Sequence, residues 1–282
     1  MTQGRTLRQA LVQEGIADLT GLWPVAQVEA WNQRIDPLFA ATEDQARSYV
    51  GADQLVDTGI FQDVFSEPVR RLIAGIEPSA LLYHCHCYEI AAAQHKPHIH
   101  QNWLHGWHRD RETLRGFSPA APKFVSIFIL LSPVGDDDGP FEFTPRSPHQ
   151  GLRSGDQIVR LVGPVGAAAI WNRSYYHRAA PNRGPRRRRI LKISFQPAEL
   201  ANDRIGLDEF RAARSRLDDP RLQALVDQRR VGTTDPLAEE RQAVTARIPP
   251  CTHRNDLTGA ASAYGRLQAA GHKLLSSALA GS

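Results

Sequence analysis

The chain has 282 residues, 41% hydrophobic and 23% charged, ordinary values for a globular protein of one large or two small domains. Its 34 basic and 30 acidic residues leave a net charge of +4, too mild to imply a nucleic-acid partner. Three cysteines are too few for a disulfide framework, so a reducing cytoplasm is the expected compartment. No stretch approaches the ~20 apolar residues of a membrane span, and Met1–Arg5 is not followed by the apolar run of a secretory signal.

Residues 6–22 mix a short helical pattern with a strand-like end at Ile16-Ala17-Asp18-Leu19. Pro24 suits a helix start, where its missing N–H costs least, and Val25, Val28, Trp31, Ile35 and Leu38 follow at helical spacing. A second helix is expected over Glu67–Ile76, with Ser66 as a candidate cap and Val69, Leu72, Ile73 and Ile76 as its apolar stripe. From Leu81 the period changes to two. Leu82, His84, His86, Tyr88 and Ile90 alternate with Leu81, Tyr83, Cys85, Cys87 and Glu89, the pattern of a strand. Phe124–Leu131 reads as a buried strand. Phe141–Thr144 follows the turn-rich Asp136–Pro140, Ala167–Trp171 follows Gly163–Gly166, and Ile190–Phe195 closes the set. Strands spaced by turns after helices predict a β-sandwich or barrel with helices outside it. Beyond Pro197 the pattern is helical, near 207–217, 220–230, 236–246 and 257–279, with Asp219-Pro220 and Asp235-Pro236 as cap-and-proline starts. This divides the chain into a β-rich domain, 1–197, and a helical extension, 198–282, packed on the core or on a second copy of the chain.

The chemistry centres on Gly106-Trp107-His108-Arg109-Asp110. If the stretch is extended, His108 and Asp110 leave one face. An imidazole and a carboxylate so placed can chelate one ion and accept a third ligand, a set that suits non-haem Fe(II). His177, just after the Ala167–Trp171 strand, is the candidate third ligand. Two electrons would come from 2-oxoglutarate, whose far carboxylate needs a buried cation, best met by a bidentate arginine. Arg186-Arg187-Arg188-Arg189 enters the last strand, where alternation lets at most two of the four face inward. The remainder make a basic edge without the aromatic platform of a nucleic-acid module. His84, Cys85, His86 and Cys87 are dense in metal-ligand types, but alternation splits the histidines from the cysteines, which argues against a closed zinc site. His84, His86 and Tyr88 are instead candidates to line a substrate pocket. Trp103 and Tyr175 flank the ligand segments and join that group, while Gln101 is placed to meet the co-substrate. Trp107 and Trp171 read as core aromatics.

These motifs resemble the Fe(II)/2-oxoglutarate-dependent oxygenases of the phytanoyl-CoA dioxygenase type, over about residues 10–197. The resemblance lies in Trp107-His108-Arg109-Asp110, in Gly139-Pro140-Phe141-Glu142-Phe143-Thr144-Pro145-Arg146-Ser147-Pro148-His149, and in His177-Arg178 with Asn182-Arg183. The family's usual turn runs into Pro-Gly-Ser-His. Here Arg146 stands where that glycine is usual and Pro148 is an extra residue, so this loop is expected to differ. The resemblance implies a double-stranded β-helix (jelly-roll, cupin-like) core, iron on His108, Asp110 and His177, and O2 and 2-oxoglutarate as co-substrates. The family's spacing of the co-substrate arginine, about eleven residues past the distal histidine, falls on Arg188, with Arg186 as its strand-mate. It also implies hydroxylation of a small molecule with release of succinate and CO2, or the same chemistry turned to desaturation, cyclisation or epimerisation. Asp110 disfavours chlorination, because related halogenases lack this carboxylate. Two other classes are open at this point: a non-catalytic jelly-roll that binds metal or ligand, and an arginine-mediated nucleic-acid binder, which the expectation of a small-molecule substrate sets aside.

Overall fold

The computed structural model describes residues 7–40, 45–97, 105–110, 122, 124–145, 152–198 and 207–227. In chain order these form α1 (Leu7–Gln13), β1 (Ile16–Asp18), α2 (Val25–Ala40), β2 (Arg47–Val50), α3 (Ala52–Asp57), α4 (Ile60–Val64), α5 (Glu67–Ile76) and β3 (Ala80–Ile90). There follow β4 (Val125–Leu130), β5 (Phe141–Phe143), β6 (Val159–Leu161), β7 (Ala168–Asn172), β8 (His177–Ala179), β9 (Arg188–Pro197), α6 (Leu207–Arg216) and α7 (Pro220–Leu225). Six strands make one sheet in the order β1-β7-β4-β9-β3-β2, and three make another in the order β6-β5-β8. Every pairing is antiparallel. The architecture is the expected mainly-β jelly-roll with flanking helices.

The large sheet is buried on both faces, which is why every residue of β4 is buried and all but Ser126, whose hydroxyl pairs with that of Ser194 at 2.6 Å, are apolar. One face carries Cys85, Cys87, Ile127, Ile170, Leu191, Ile193 and Phe195 and is covered by the helices, with Trp31, Ile35, Phe61 and Phe65 among the residues packed there. The other face looks across to the small sheet and carries Tyr88, Ile90, Phe128, Leu130, Trp171 and Ile190 against Phe141, Phe143 and Leu161. The period-two pleat sorts residues between these layers, so each strand contributes to both cores. At about 25 cal/mol per Å2 of apolar surface removed from water, each fully buried Leu, Ile or Phe contributes about 1.5–3 kcal/mol.

The structure corrects the reading of β3 in one respect. Strict alternation would put Leu82 beside His84, but the register shifts between Leu82 and His84, which pair with Phe195 and Ser194. This irregularity at Tyr83 sends Leu82 to the helix-side core with Cys85 and Cys87. Three strands and two helices escaped the sequence reading. β2, β6 and β8 have three or four residues each, and α3 and α4 have six or fewer, too short for a periodic signal. Ser66 makes no side-chain cap on α5, whereas Asp219 caps α7 by accepting from the Arg221 N–H at 2.9 Å. α6 and α7, with Leu217 in the link between them, place Phe210, Ala213 and Leu222 in the helix-side core, where Leu217 joins them. The helices expected at 236–246 and 257–279 lie outside the described residues. No described helix is long and apolar enough to cross a membrane.

Gly139, in the turn before β5, has φ +70°, and a Cβ there would lie 2.8 Å from both the Ala180 carbonyl oxygen and the Asn182 nitrogen. Gly139→Ala should therefore lose about 2–4 kcal/mol, from left-handed strain plus backbone overlap. Urea unfolding followed by circular dichroism measures it, and a loss below about 1 kcal/mol would show that the turn re-forms without cost.

Candidate active site

His177 opens β8, and a reciprocal backbone pair ties it to His108. The His108 N–H donates to the His177 carbonyl at 3.0 Å, and the His177 N–H to the His108 carbonyl at 2.8 Å. The expected extended segment is thus a single antiparallel bridge rather than a full strand. It is enough to set the two rings 4.3 Å apart, centre to centre. The approach to His108 is tight. Gly106 has φ +89°, and a Cβ on it would lie 3.0 Å from the Pro97 side chain. Arg178 braces the same turn: its guanidinium donates to the His105 carbonyl at 3.0 Å and to Glu142 at 2.6 Å, and lies over the Trp107 ring.

The three ligand candidates converge. One ligand atom from each of His108, Asp110 and His177 lies within 4.8 Å of the others. Asp110 Oδ1 is 3.9 Å from His108 Nε2 and 3.8 Å from His177 Nε2. Both Nδ1 atoms are engaged with backbone carbonyls, His108 with Gly106 at 2.8 Å and His177 with Tyr175 at 2.9 Å. A carbonyl only accepts, so each Nδ1 carries the proton and each Nε2 presents its lone pair to the centre of the triad. Burial, then the neighbouring His108, pushes His177 well below the ordinary imidazole range, so it stays neutral. Burial opposes the charge on Asp110, but Arg173 first, then His177 and His108, hold its carboxyl below the usual carboxylate range. The donor set, its tautomers and its charge fit a divalent iron.

Arg173 was not singled out in the sequence. It is buried, donates from Nε to Asp110 Oδ2 at 2.7 Å, and lies over the Tyr83 ring. Its position, two residues past β7's Trp171 in the stretch leading to His177, was the available signal. Trp171 and Phe141 lie 4.3 and 5.8 Å from the His177 ring, so the triad rests on an aromatic floor.

Arg188 lies on β9 between the two sheets, 1% exposed. Its Nη2 is 3.4 Å from the Tyr88 hydroxyl, while Nε and Nη1 are buried without a hydrogen-bond partner among the described residues. Burial pulls its protonation below the ordinary arginine range. Two orphaned donors on a buried guanidinium are what a bidentate carboxylate would satisfy. Arg186 is placed elsewhere: it precedes the strand, its side chain is 65% exposed, and it meets Asp138. Alternation could not put it beside Arg188, because the strand begins only at 188. His84, His86 and Tyr88 share the face of Arg188 in a run of ring contacts. Lys192, also missed, sits opposite His86 on the next strand and over the Phe128 ring. Tyr175 stacks on Phe143 within the core between the sheets. Gln101 and Trp103 lie outside the described residues, as does the loop with Arg146 and Pro148.

A family model described as phytanoyl-CoA dioxygenase (PhyH) matches residues 11–190. No curated protein matches. Among solved structures, AviO1 from Streptomyces viridochromogenes Tue57 superposes with a TM-score of 0.51 at 15% identity, over 70% of this chain and 96% of that one. EvdMO1 gives 0.51 at 17% identity, over 67% of this chain and 49% of that one. The non-haem alpha-ketoglutarate-dependent epimerase SnoN from nogalamycin biosynthesis gives 0.49 at 17%, over 68% and 80%. At such identities the likeness to AviO1 and EvdMO1 is one of fold.

Because Arg173 orients Asp110 and stabilises its ionised form, Arg173→Met should weaken Fe(II) or Mn(II) binding about 10–100-fold. The variant should also move the acid limb of metal binding to higher pH, since Asp110 loses the cation that depresses its pKa and protons compete sooner. Calorimetric titration across pH checks both; unchanged affinity would reduce Arg173 to a packing residue.

Proposed function

The chain belongs to the phytanoyl-CoA dioxygenase family of non-haem Fe(II)- and 2-oxoglutarate-dependent enzymes, and from that premise we propose that it hydroxylates a small molecule, with His108, Asp110 and His177 holding the iron and Arg188 the far carboxylate of 2-oxoglutarate. The observation that supports this best is the pairing of the convergent triad with the orphaned, buried guanidinium of Arg188 in one interior. When bound, Fe(II) supplies O2 activation coupled to the oxidation of 2-oxoglutarate to succinate and CO2.

The residues of the chain do the rest. The Gly106 and Tyr175 carbonyls fix both imidazoles as Nε2 ligands. Arg173 keeps Asp110 ionised and turned toward them. Arg188 orients the co-substrate by a bidentate, charge-assisted contact that also satisfies its own buried donors. Trp171, Phe141 and Phe128 exclude water beneath the triad. We further propose a cytoplasmic setting: Cys85 and Cys87 are free thiols in the helix-side core, and burial pushes both above the ordinary thiol range. We also propose that residues 198–282 form a helical extension of the oxygenase core, with α6 and α7 as its docked part.

Succinate release from 2-oxoglutarate, with Fe(II) under air and no primary substrate, tests the activity and separates an enzyme from a non-catalytic jelly-roll. Asp110→Ala should abolish it; normal turnover in that variant would sink the assignment of the metal ligands. Arg188→Ala should raise the 2-oxoglutarate concentration at half-maximal rate by about tenfold or more. An unchanged requirement would transfer the role to another cation.

A further inference from the structure

The run of four arginines sends Arg188 inward, and the register of the large sheet sets a second guanidinium beside it from another strand. Arg47 on β2 stands directly opposite Ile90 of β3, and Ile90 stands directly opposite Arg188 of β9. Directly opposed residues of antiparallel strands share a face. The two arginines therefore flank Ile90 in one row, about 10 Å apart at the backbone across two strand spacings. The next row on that face holds Tyr49, Tyr88 and Ile190. Both guanidiniums lean toward it. Arg188 lies over the Tyr88 ring at 5.6 Å and Arg47 over the Tyr49 ring at 4.3 Å, with the two rings 6.3 Å apart. Arg47 Nε, like Nε and Nη1 of Arg188, is buried without a hydrogen-bond partner among the described residues. Burial, opposed by the Tyr88 phenol and aided by the Arg188 guanidinium, pulls the protonation of Arg47 below the ordinary arginine range. Neither arginine pairs with a carboxylate among the described residues, and Glu89 lies on the opposite face with Arg187 and Arg189. Two desolvated cations beside one phenol oppose folding unless an anion joins them. One carboxylate, with two oxygens and about four lone-pair sites, can serve both.

We propose that Arg47 is a second co-substrate cation: its guanidinium and that of Arg188 close from two strands on the far carboxylate of 2-oxoglutarate, beside the Tyr88 hydroxyl. This rests on the reading that Arg188 takes that carboxylate. Arg186, the partner that the sequence offers, meets Asp138 instead, and the register supplies Arg47 in its place. β2 is an edge strand, so Arg47 bounds the seat on the edge side of the sheet. The pair selects for a dicarboxylate, because an oxo acid ending in a methyl group would leave two charges unanswered.

The test uses the full chain with Mn(II) in place of Fe(II), so that nothing turns over. 2-Oxoglutarate and 2-oxopentanoate, which carries a methyl group in place of the far carboxylate, are titrated in by calorimetry. The wild-type chain should prefer 2-oxoglutarate by about a hundredfold or more. Arg47→Gln should weaken 2-oxoglutarate binding about tenfold and narrow that preference by the same factor. It should leave the affinities for Mn(II) and 2-oxopentanoate unchanged, which lost fold would not. Arg47→Lys should recover part of the 2-oxoglutarate affinity, since it keeps the charge and loses the planar fork. Arg188→Gln should cost at least as much as Arg47→Gln. If Arg47→Gln leaves 2-oxoglutarate affinity unchanged while Arg188→Gln lowers it, the proposal is overturned and the co-substrate reading stands. A parallel loss of Mn(II) and 2-oxopentanoate affinity in both Arg47 variants would make Arg47 a packing residue and overturn it too. Should neither arginine matter to 2-oxoglutarate, the co-substrate reading itself fails and the proposal goes with it.

Discussion

Two backbone hydrogen bonds, exchanged between His108 and His177, connect the segment that carries two ligand candidates to the strand that carries the third. The metal-binding candidates depend on them because Asp110 follows His108 by two residues and is fixed in turn through its own N–H, which donates to the Arg173 carbonyl at 3.3 Å. Backbone geometry therefore sets the ligand spacing before any ion arrives. Side chains add the second constraint. The carbonyls of Gly106 and Tyr175 choose the tautomer, and each lies two residues before the histidine it orients. A site built this way is preorganised: the ion does not have to turn the rings or strip protons from Nε2.

Preorganisation here means holding charge in a dry place. Arg173 and Arg188 are almost fully buried, and His177 is buried as well. Each buried ion opposes folding by several kcal/mol unless it is paired. Arg173 has Asp110. Arg188 has a phenol at hydrogen-bond limit and the face of its ring, weak partners for a full charge. The two apolar layers on either side of the large sheet supply the stability that lets this strain persist. Arg188 lies on the side facing the small sheet, whereas the helix side pairs its buried charge, Glu89 with Arg187 and Arg189.

What the sequence disclosed follows the range of its signals. Long periodic segments were legible: α2, α5, β3, β4 and β9 appear close to their expected bounds. The ligand set was legible because His-x-Asp and a later histidine are sparse, chemically distinctive residues. Arg173 and Lys192 were not singled out, since a lone cation among 34 lysines and arginines has no signature until its neighbours are known. Lys192 was nonetheless within reach: counting by two from Arg188 along a strand gives 190, 192 and 194, the face that turns inward. The irregularity at Tyr83 could not be read, because its cause lies in pairing with β9, more than one hundred residues away.

That same count by two resolves the run of four arginines. Arg187 and Arg189 point to the helix side, where both hydrogen-bond Glu89, and Arg189 also reaches Asn32 and Asp36 of α2. Arg188, between them, points inward and meets no acid among the described residues. Adjacent like charges are thus separated by the thickness of a sheet, with the outer pair neutralised and the inner one left for a ligand. A slip of β9 by one residue would exchange these roles. It would bury Arg187 and Arg189 with no carboxylate, strand Glu89, and send Lys192 into the helix-side core in place of Leu191. The outer ion pairs and the apolar residues Leu191, Ile193 and Phe195 all oppose that slip, so the elements that stabilise the fold also hold Arg188 at the register that sets it beside Tyr88, on the face opposite Arg187 and Arg189.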